Sequence, residues 1–170
     1  MTPSREAPEV AVRAGEIESR ASALGEKYGI YDAHGWADVN GLVGSLGGTV
    51  LTTFDTPDKP ESLQVRASDD FTIIVPWNTS HARDRFTVAH EIGHLVLHYD
   101  DAHGTTSFYR YGRSRQESEA NAFAAALLMP AGHFEQVYAR HNGDLAELAE
   151  HFAVSASTAR MRAQSLGLHG

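Results

Sequence analysis

The sequence predicts a small α+β protein: one main domain followed by a short helical segment. Two observations predict this class. Apolar residues recur at helical spacing in several separate stretches, and three short stretches between residues 49 and 75 are rich in β-branched and aromatic residues. The chain has 170 residues, of which 42% are hydrophobic, so it is long enough to bury a substantial core.

The first third of the chain is predicted to be helical. Residues 1–8 contain two prolines and few apolar groups, so we expect a loose tail there. Helices are expected over residues 9–28 and 36–46, the second ending at a Gly-Gly pair.

Three strands are predicted next, over residues 49–54, 62–67 and 71–75. Turn-forming residues separate them, and Pro76 closes the third strand. Short connections join antiparallel neighbours, so we expect a small, mainly antiparallel sheet.

Two helices with a loop between them are predicted after the sheet. The first covers about residues 80–99 and is followed by a loop rich in Gly, Ser and Tyr over residues 100–113. The second covers residues 117–129 and ends at Pro130, because the residue before a proline is pushed out of helical geometry.

We place the main domain over residues 1–130 and a C-terminal helical segment over residues 131–170. The end of this segment looks like a helix-turn-helix, with one amphipathic helix from residue 145 to 152 and a second from residue 156 to 166. Residues 145–170 carry as many acidic as basic side chains, whereas a DNA-reading helix usually has a basic face. A packing or protein-docking role is therefore favoured over DNA reading.

The composition excludes several function classes. The chain has no cysteine, so any metal ion must be held by His, Asp or Glu, and it has 10 histidines. A formal charge of -8 has the wrong sign for a protein whose main partner is nucleic acid. No apolar run approaches the roughly 20 residues of a membrane span, and the N-terminus lacks a signal-peptide pattern. We expect a cytoplasmic protein with no membrane partner; the sequence does not indicate an oligomeric state.

The central helix carries an HExxH motif, formed by residues 90–94. His90 and His94 stand about one helical turn apart, roughly 6 Å, so their imidazoles can converge on one ion, and Glu91 can reach the water that this ion binds. At about 100° per residue, the apolar positions of the helix fall on one side and the histidines on the other. Phe86 and Leu97 also fall on the histidine side, which predicts an interior cleft. The alternative is two surface histidines on an amphipathic helix.

A tetrahedral catalytic zinc ion takes three protein ligands and leaves one position open. On the wheel of the 117–129 helix, Glu117 lies about 60° from the centre of the apolar stripe and Glu119 about 100° away on the other flank. A carboxylate directed at a core is costly unless it binds a cation, so Glu117 is the predicted third ligand and Glu119 a solvated residue. Asn121, one turn after Glu117, could hydrogen-bond a metal-bound histidine, although a surface position fits this amide equally well.

Two residues near the motif are not assigned to the metal. Asp100 lies where some HExxH enzymes place their third ligand, but that geometry needs a glycine turn, and Leu97 occupies the glycine's place. His98 lies about 12 Å along the helix from His90, too far for one shared ion, so we expect it to pack or to hydrogen-bond a ligand. Nothing in the spacing selects an oxyanion-stabilising residue from four candidates: Tyr109, Tyr111, His103 and His133.

Three segments resemble the ImmA/IrrE family of metallopeptidases: residues 85–98 around the HExxH motif, residues 117–130 (ESEANAFAAALLMP) and the tail over residues 154–168. The resemblance implies a zincin-like fold and an endopeptidase with one Zn²⁺ per chain, Mn²⁺ being the alternative ion. By position, His90 and His94 match the ligand histidines, Glu91 the catalytic glutamate and Glu117 the acidic ligand.

The implied substrate is a cognate helix-turn-helix repressor. Two other hypotheses compete with this one. The chain could be a DNA-binding regulator that uses its C-terminal helices, which the acidic charge disfavours. It could also be an inactive interaction module of the toxin or antitoxin type, which the retained Glu91 disfavours.

Overall fold

The computed structural model describes residues 11–54, 61–109 and 114–169. These residues form an α+β fold of seven α-helices and one four-stranded sheet, as the sequence predicts. In chain order the elements are α1 (Ala14–Tyr28), α2 (Val39–Ser45), β1 (Gly48–Thr53), β2 (Glu61–Ala67), β3 (Asp70–Pro76), α3 (His81–His98), β4 (Thr106–Tyr109), α4 (Arg115–Leu128), α5 (Ala131–Arg140), α6 (Leu145–Phe152) and α7 (Ala156–Ser165). A short 3-10 helix, Asp101–His103, precedes β4.

The sheet has the strand order β1-β3-β2-β4. β2 pairs antiparallel with both β3 and β4, whereas β1 pairs parallel with β3. The prediction of a small, mainly antiparallel sheet therefore holds. The two-residue turn between β2 and β3 makes them a hairpin, which leaves the other edge of β2 for β4.

The sequence-based prediction of a continuous loop over residues 100–113 is wrong at β4. This strand has four residues and, within the described part of the chain, pairs with β2 alone, Phe108 standing opposite Leu63. A strand this short has no alternation to detect, and its partner lies more than forty residues away in the chain.

The predicted N-terminal boundaries need adjustment. The first helix begins at Ala14 rather than at residue 9, with a glycine in its first turn, where helix propensity is low. The tail predicted over residues 1–8 lies outside the described residues.

The core surrounds α3, which packs against α4, β2 and β3. Val88, Ile92 and Leu95 of α3 are buried, as are most apolar residues of α4 and the inner positions of the sheet. Gly93 lets the two helices approach closely, because a Cβ atom there would lie 3.2 Å from the backbone oxygen of Ala120 and from the Phe123 side chain. This close crossing places the start of α4 beside the histidines of α3.

The C-terminal helices are attached to the rest of the fold through Arg162 of α7. This residue is 2% exposed; its guanidinium donates two hydrogen bonds to Glu18 of α1 at 2.6 and 2.8 Å and a third to the Met129 backbone oxygen at 2.9 Å. A bidentate pair of this kind fixes orientation as well as distance. None of the described helices combines the length and hydropathy of a membrane span.

Candidate metal centre

Helix α3 presents the two motif histidines to the same point. The helix begins at a Ser80 cap, whose hydroxyl accepts a hydrogen bond from the Arg83 amide, and its apolar face fixes its rotation in the core. The Nε2 atoms of His90 and His94 lie 3.1 Å apart, and their ring centroids are 4.7 Å apart in an edge-to-face arrangement. Residues four apart on a helix share a face, which explains this convergence.

Helix α4 adds the carboxylate of Glu117 at that point. Ser114 caps this helix by accepting a hydrogen bond from the Glu117 amide, so Glu117 lies in the first turn. Its Oε2 lies 3.0 Å from Nε2 of His90, and its Oε1 lies 2.9 Å from Nε2 of His94. The ligand atoms of all three residues lie within 4.8 Å of one another.

The donor set fits a divalent metal ion. Asn121 Oδ1 lies 2.8 Å from Nδ1 of His90; an amide oxygen only accepts, so Nδ1 carries the proton when the ring is neutral. The Nε2 lone pair of His90 then faces the Glu117 carboxylate and the His94 ring, which are also electron-rich. Metal–ligand bonds of 2.0–2.2 Å in a tetrahedron separate ligand atoms by about 3.4 Å, so a small opening of the trio suffices.

The electrostatics of the trio favour positive charge. Burial lowers the pKa of His90, but its hydrogen bond to the accepting Glu117 carboxylate and the charges of Glu91 and Glu117 outweigh this effect, and the pKa is raised overall. Burial opposes ionisation of Glu117, yet the hydrogen bonds that its carboxylate accepts from His90 and His94 lower its pKa to about 2. These shifts mean that the site favours positive charge at the place where a cation can bind.

A cleft of about 590 Å³ opens next to His90. His90, Glu91, Glu117 and Asn121 all line it, and the size is within the usual range for ligand-binding clefts. Glu91 is 2% exposed, so its carboxylate meets the cleft from a largely desolvated position. The structure therefore brings the four residues singled out from the sequence, His90, Glu91, His94 and Glu117, to one place.

Residues 48–164 match the sequence model of a peptidase family described as the IrrE N-terminal-like domain. The chain belongs to this family. The predicted ImmA/IrrE membership is confirmed, and the match runs through the proposed boundary at residue 130 into α7.

A curated relative is similar over part of its length. The radiation response metalloprotease IrrE of Deinococcus radiodurans is 42% identical over 84 residues, which cover 45% of this chain and 26% of the relative. The chain thus spans about a quarter of that relative. The IrrE-like assignment supports a peptidase with a divalent metal.

The solvated position predicted for Glu119 is wrong. This residue is 7% exposed, and its Oε2 lies 3.0 Å from Nε2 of His98. Its Oε1 accepts a hydrogen bond from the Val12 backbone amide at 3.3 Å and forms an ion pair with Nε of Arg115 at 3.2 Å. The helical-wheel argument gave the wrong position for Glu119 because α1 also packs against α4. The buried surface of α4 is therefore wider than its apolar stripe.

The sequence predicted that His98 would either pack in the core or hydrogen-bond a metal ligand, and the structure shows a hydrogen bond to His94. Its Nδ1 lies 2.9 Å from Nδ1 of His94, and its side chain is 4% exposed. His94 also stacks on Phe108 of β4, with ring centroids 4.9 Å apart, so the strand missed from sequence helps to hold a motif histidine. The i, i+4 series of three histidines was the signal that pointed to His98.

Four of the remaining candidates lie elsewhere. Asp100 accepts a hydrogen bond from the Ala102 amide at 2.9 Å and caps the 3-10 helix, so it is not part of the trio. Of the oxyanion candidates, Tyr111 lies outside the described residues, and the other three are not among the residues that line the cleft. The start of α7 does line it, through Ser155, Ser157 and Thr158. No local sequence signal pointed to that wall.

Proposed function

We propose that this chain is a metal-dependent endopeptidase in which His90, His94 and Glu117 bind one zinc ion and Glu91 is the general base. The observation that carries this proposal is the convergence of two imidazole nitrogens and a carboxylate within 4.8 Å, beside a buried glutamate that lines an open cleft. Family membership supports the peptidase reaction, and the geometry supports the residues.

Each residue has a separate task in the proposed reaction. A zinc ion, when bound, supplies Lewis acidity that polarises a carbonyl and lowers the pKa of water. The Glu91 carboxylate takes a proton from the attacking water and later passes it to the amine leaving group. Because Glu91 is buried, its carboxylate interacts more strongly with nearby charges than it would in water. The amide oxygen of Asn121 holds the ring of His90 with Nε2 directed at Glu117.

Zinc is favoured over manganese by the donor set. Two imidazoles and one carboxylate are a common ligand combination of catalytic zinc, whereas manganese prefers carboxylate, carbonyl and water oxygens. Manganese remains the alternative ion, and metal analysis of the purified protein distinguishes the two.

The proposed substrate is a protein, and from the family resemblance we propose a helix-turn-helix repressor. A cleft between α3, α4 and the start of α7 accepts flexible backbone more readily than folded structure, so the cut would fall in an exposed linker or helix end. We also propose the division at residue 130, with the helix-turn-helix-like segment serving the peptidase site. DNA reading is not favoured, because Arg162 is held by Glu18 and the start of α7 lines the cleft.

The test is a comparison of three proteins. Wild type is expected to bind close to one zinc ion per chain and to cleave a repressor substrate, and Glu91→Gln is expected to keep the ion while cleavage falls by about 100-fold or more. Glu135→Gln, the same change at an exposed position of α5, is expected to leave both unchanged. Full cleavage by Glu91→Gln would remove Glu91 from the mechanism. Zinc binding without cleavage by wild type would favour the inactive interaction module.

A further inference from the structure

The interior side of the metal centre contains a continuous hydrogen-bonded chain. Starting from His94, Nδ1 meets Nδ1 of His98 at 2.9 Å, and Nε2 of His98 meets Oε2 of Glu119 at 3.0 Å. The other oxygen of Glu119 accepts a hydrogen bond from the Val12 amide and forms an ion pair with Arg115. The side chains of His94, His98 and Glu119 are 2, 4 and 8% exposed, so water does not compete freely for these bonds.

The direction of each hydrogen bond follows from the end of this chain. A carboxylate oxygen accepts, so Nε2 of His98 donates to Glu119. A neutral imidazole carries one proton, so Nδ1 of His98 then accepts. In the neutral ring of His94, Nδ1 must therefore donate, and Nε2 is left with its lone pair directed at Glu117, 2.9 Å away, so that a proton or a cation is needed to join the two groups.

We propose that His98 and Glu119 are positioning residues that fix His94 in the tautomer protonated at Nδ1 and so prepare Nε2 for the metal ion. This inference rests on the proposed function, since it gives this series of hydrogen bonds a role in metal binding. Partners of this kind fix ring orientation and raise ligand basicity, and their loss typically weakens metal binding about 10- to 100-fold.

The arrangement also links the metal centre to the segment before α1. The amide of Val12 lies 3.3 Å from Glu119 although the two residues are 107 positions apart in the chain. Together with Arg115, it occupies one oxygen of Glu119 and leaves the other for His98. The N-terminal segment thereby takes part in orienting a ligand that it does not touch.

The first test is a zinc competition titration against a chelator. His98→Phe keeps an aromatic ring at this position but removes both imidazole nitrogens, and it is expected to weaken zinc binding about 10- to 100-fold. Glu119→Gln keeps the size and one acceptor oxygen, so a smaller loss is expected. The double variant should lose less than the product of the two factors, because both changes break the same chain. His103→Phe, the same change at an exposed histidine, should bind zinc like wild type.

The second test observes the tautomer itself in the metal-free protein. Long-range ¹H–¹⁵N NMR at mildly alkaline pH should show wild-type His94 protonated at Nδ1, and His98→Phe should shift it toward the Nε2 form. A purely packing role for His98 would not move this signal. Asn121→Ala, which acts on His90, should leave the His94 signal unchanged.

Either of two results would overturn the inference: wild-type His94 protonated at Nε2, or zinc binding by His98→Phe as tight as by wild type. Failure of the proposed function gives a different result, namely no zinc binding by wild type, and the NMR measurement needs no metal. Where His98→Phe does not fold, the wild-type tautomer and Glu119→Gln still decide the question.

Discussion

The two motif histidines are held in different surroundings, although they are one helical turn apart. The side chain of His90 is 12% exposed, lines the cleft and meets one amide, that of Asn121. The side chain of His94 is 2% exposed, stacks on Phe108 and meets a buried chain of polar groups that begins at His98. The cleft side is open to solvent, whereas the interior side holds its histidine from within the core.

This difference has an energetic consequence. A hydrogen bond lost on the cleft side can be replaced by water, because the lining is solvent-accessible. On the interior side, the loss leaves a buried polar group unsatisfied, at a cost of about 1–3 kcal/mol. Variants on the two sides should therefore differ in how strongly they weaken metal binding.

The largest loss of zinc binding is expected from Glu117→Ala, because Glu117 contacts both the histidine on the cleft side and the histidine on the interior side. Glu117 contacts both motif histidines, so its loss should weaken zinc binding more than the 10- to 100-fold typical of an outer partner and should abolish cleavage. Chelator competition and a cleavage assay measure the two effects. Asp100→Ala, at a carboxylate that caps a 3-10 helix and does not belong to the trio, is the control and should match wild type. Loss of metal in Asp100→Ala instead would contradict the assigned trio.

The next effect compares the partners of the two histidines directly. Asn121→Ala should weaken zinc binding by only about 10-fold, at the lower end of the range for such partners, because water from the cleft can take the place of the amide. His98→Phe should weaken it more. Equal losses of zinc affinity in the two variants would show that the burial of the partner residue does not determine how much it contributes to metal binding.

A smaller effect concerns the pH dependence of stability in the metal-free protein. His90 has a raised pKa, so its ion pair with Glu117 stabilises the fold fully below the ordinary histidine value of 6.5, and this contribution is lost as pH rises through the folded-state pKa. The pKa of Glu117 falls from 4.5 to about 2, so its contribution is present above 4.5 and is lost as pH falls toward 2.

The pair therefore contributes most between pH 4.5 and 6.5. Glu117→Gln should destabilise the metal-free protein more at about pH 5.5 than at about pH 8.5. Urea unfolding in the presence of a chelator measures this, with Glu135→Gln as the control. A destabilisation that grows with pH would have the wrong sign for this ion pair.

The smallest effect is expected at the far wall of the cleft. Ser157→Ala removes one hydroxyl at the start of α7, and loss of one hydrogen bond of about 1 kcal/mol would raise KM for the protein substrate roughly 5-fold with no change in zinc affinity. Ser165→Ala, at the other end of the same helix, should leave KM unchanged. An unchanged KM in Ser157→Ala would mean that this wall does not contact substrate.

The parts of the fold that sequence predicts well are those with local periodicity. The helix of the HExxH motif, the three strands before it and the inward direction of Glu117 all follow from spacing along one element. The geometry then brings the predicted residues together, and their chemical roles stay predictions until they are measured.

The parts that sequence missed depend on contacts between distant segments. β4 forms by pairing with the free edge of β2. Glu119 is buried because α1 packs against the side of α4 that the helical wheel predicted to face solvent. The position of α7 beside the cleft is likewise a consequence of tertiary packing, since Arg162 fixes this helix to Glu18. Periodicity within one helix does not contain this information.

The central claim is that His90, His94 and Glu117 bind one metal ion, and anomalous diffraction at the zinc edge from crystals of the zinc-loaded protein tests it most directly. The predicted result is a single peak within about 2.0–2.2 Å of Nε2 of both histidines and of a Glu117 carboxylate oxygen. A peak bound instead by His98 or Glu119, or no peak at the trio in fully loaded protein, would contradict the account.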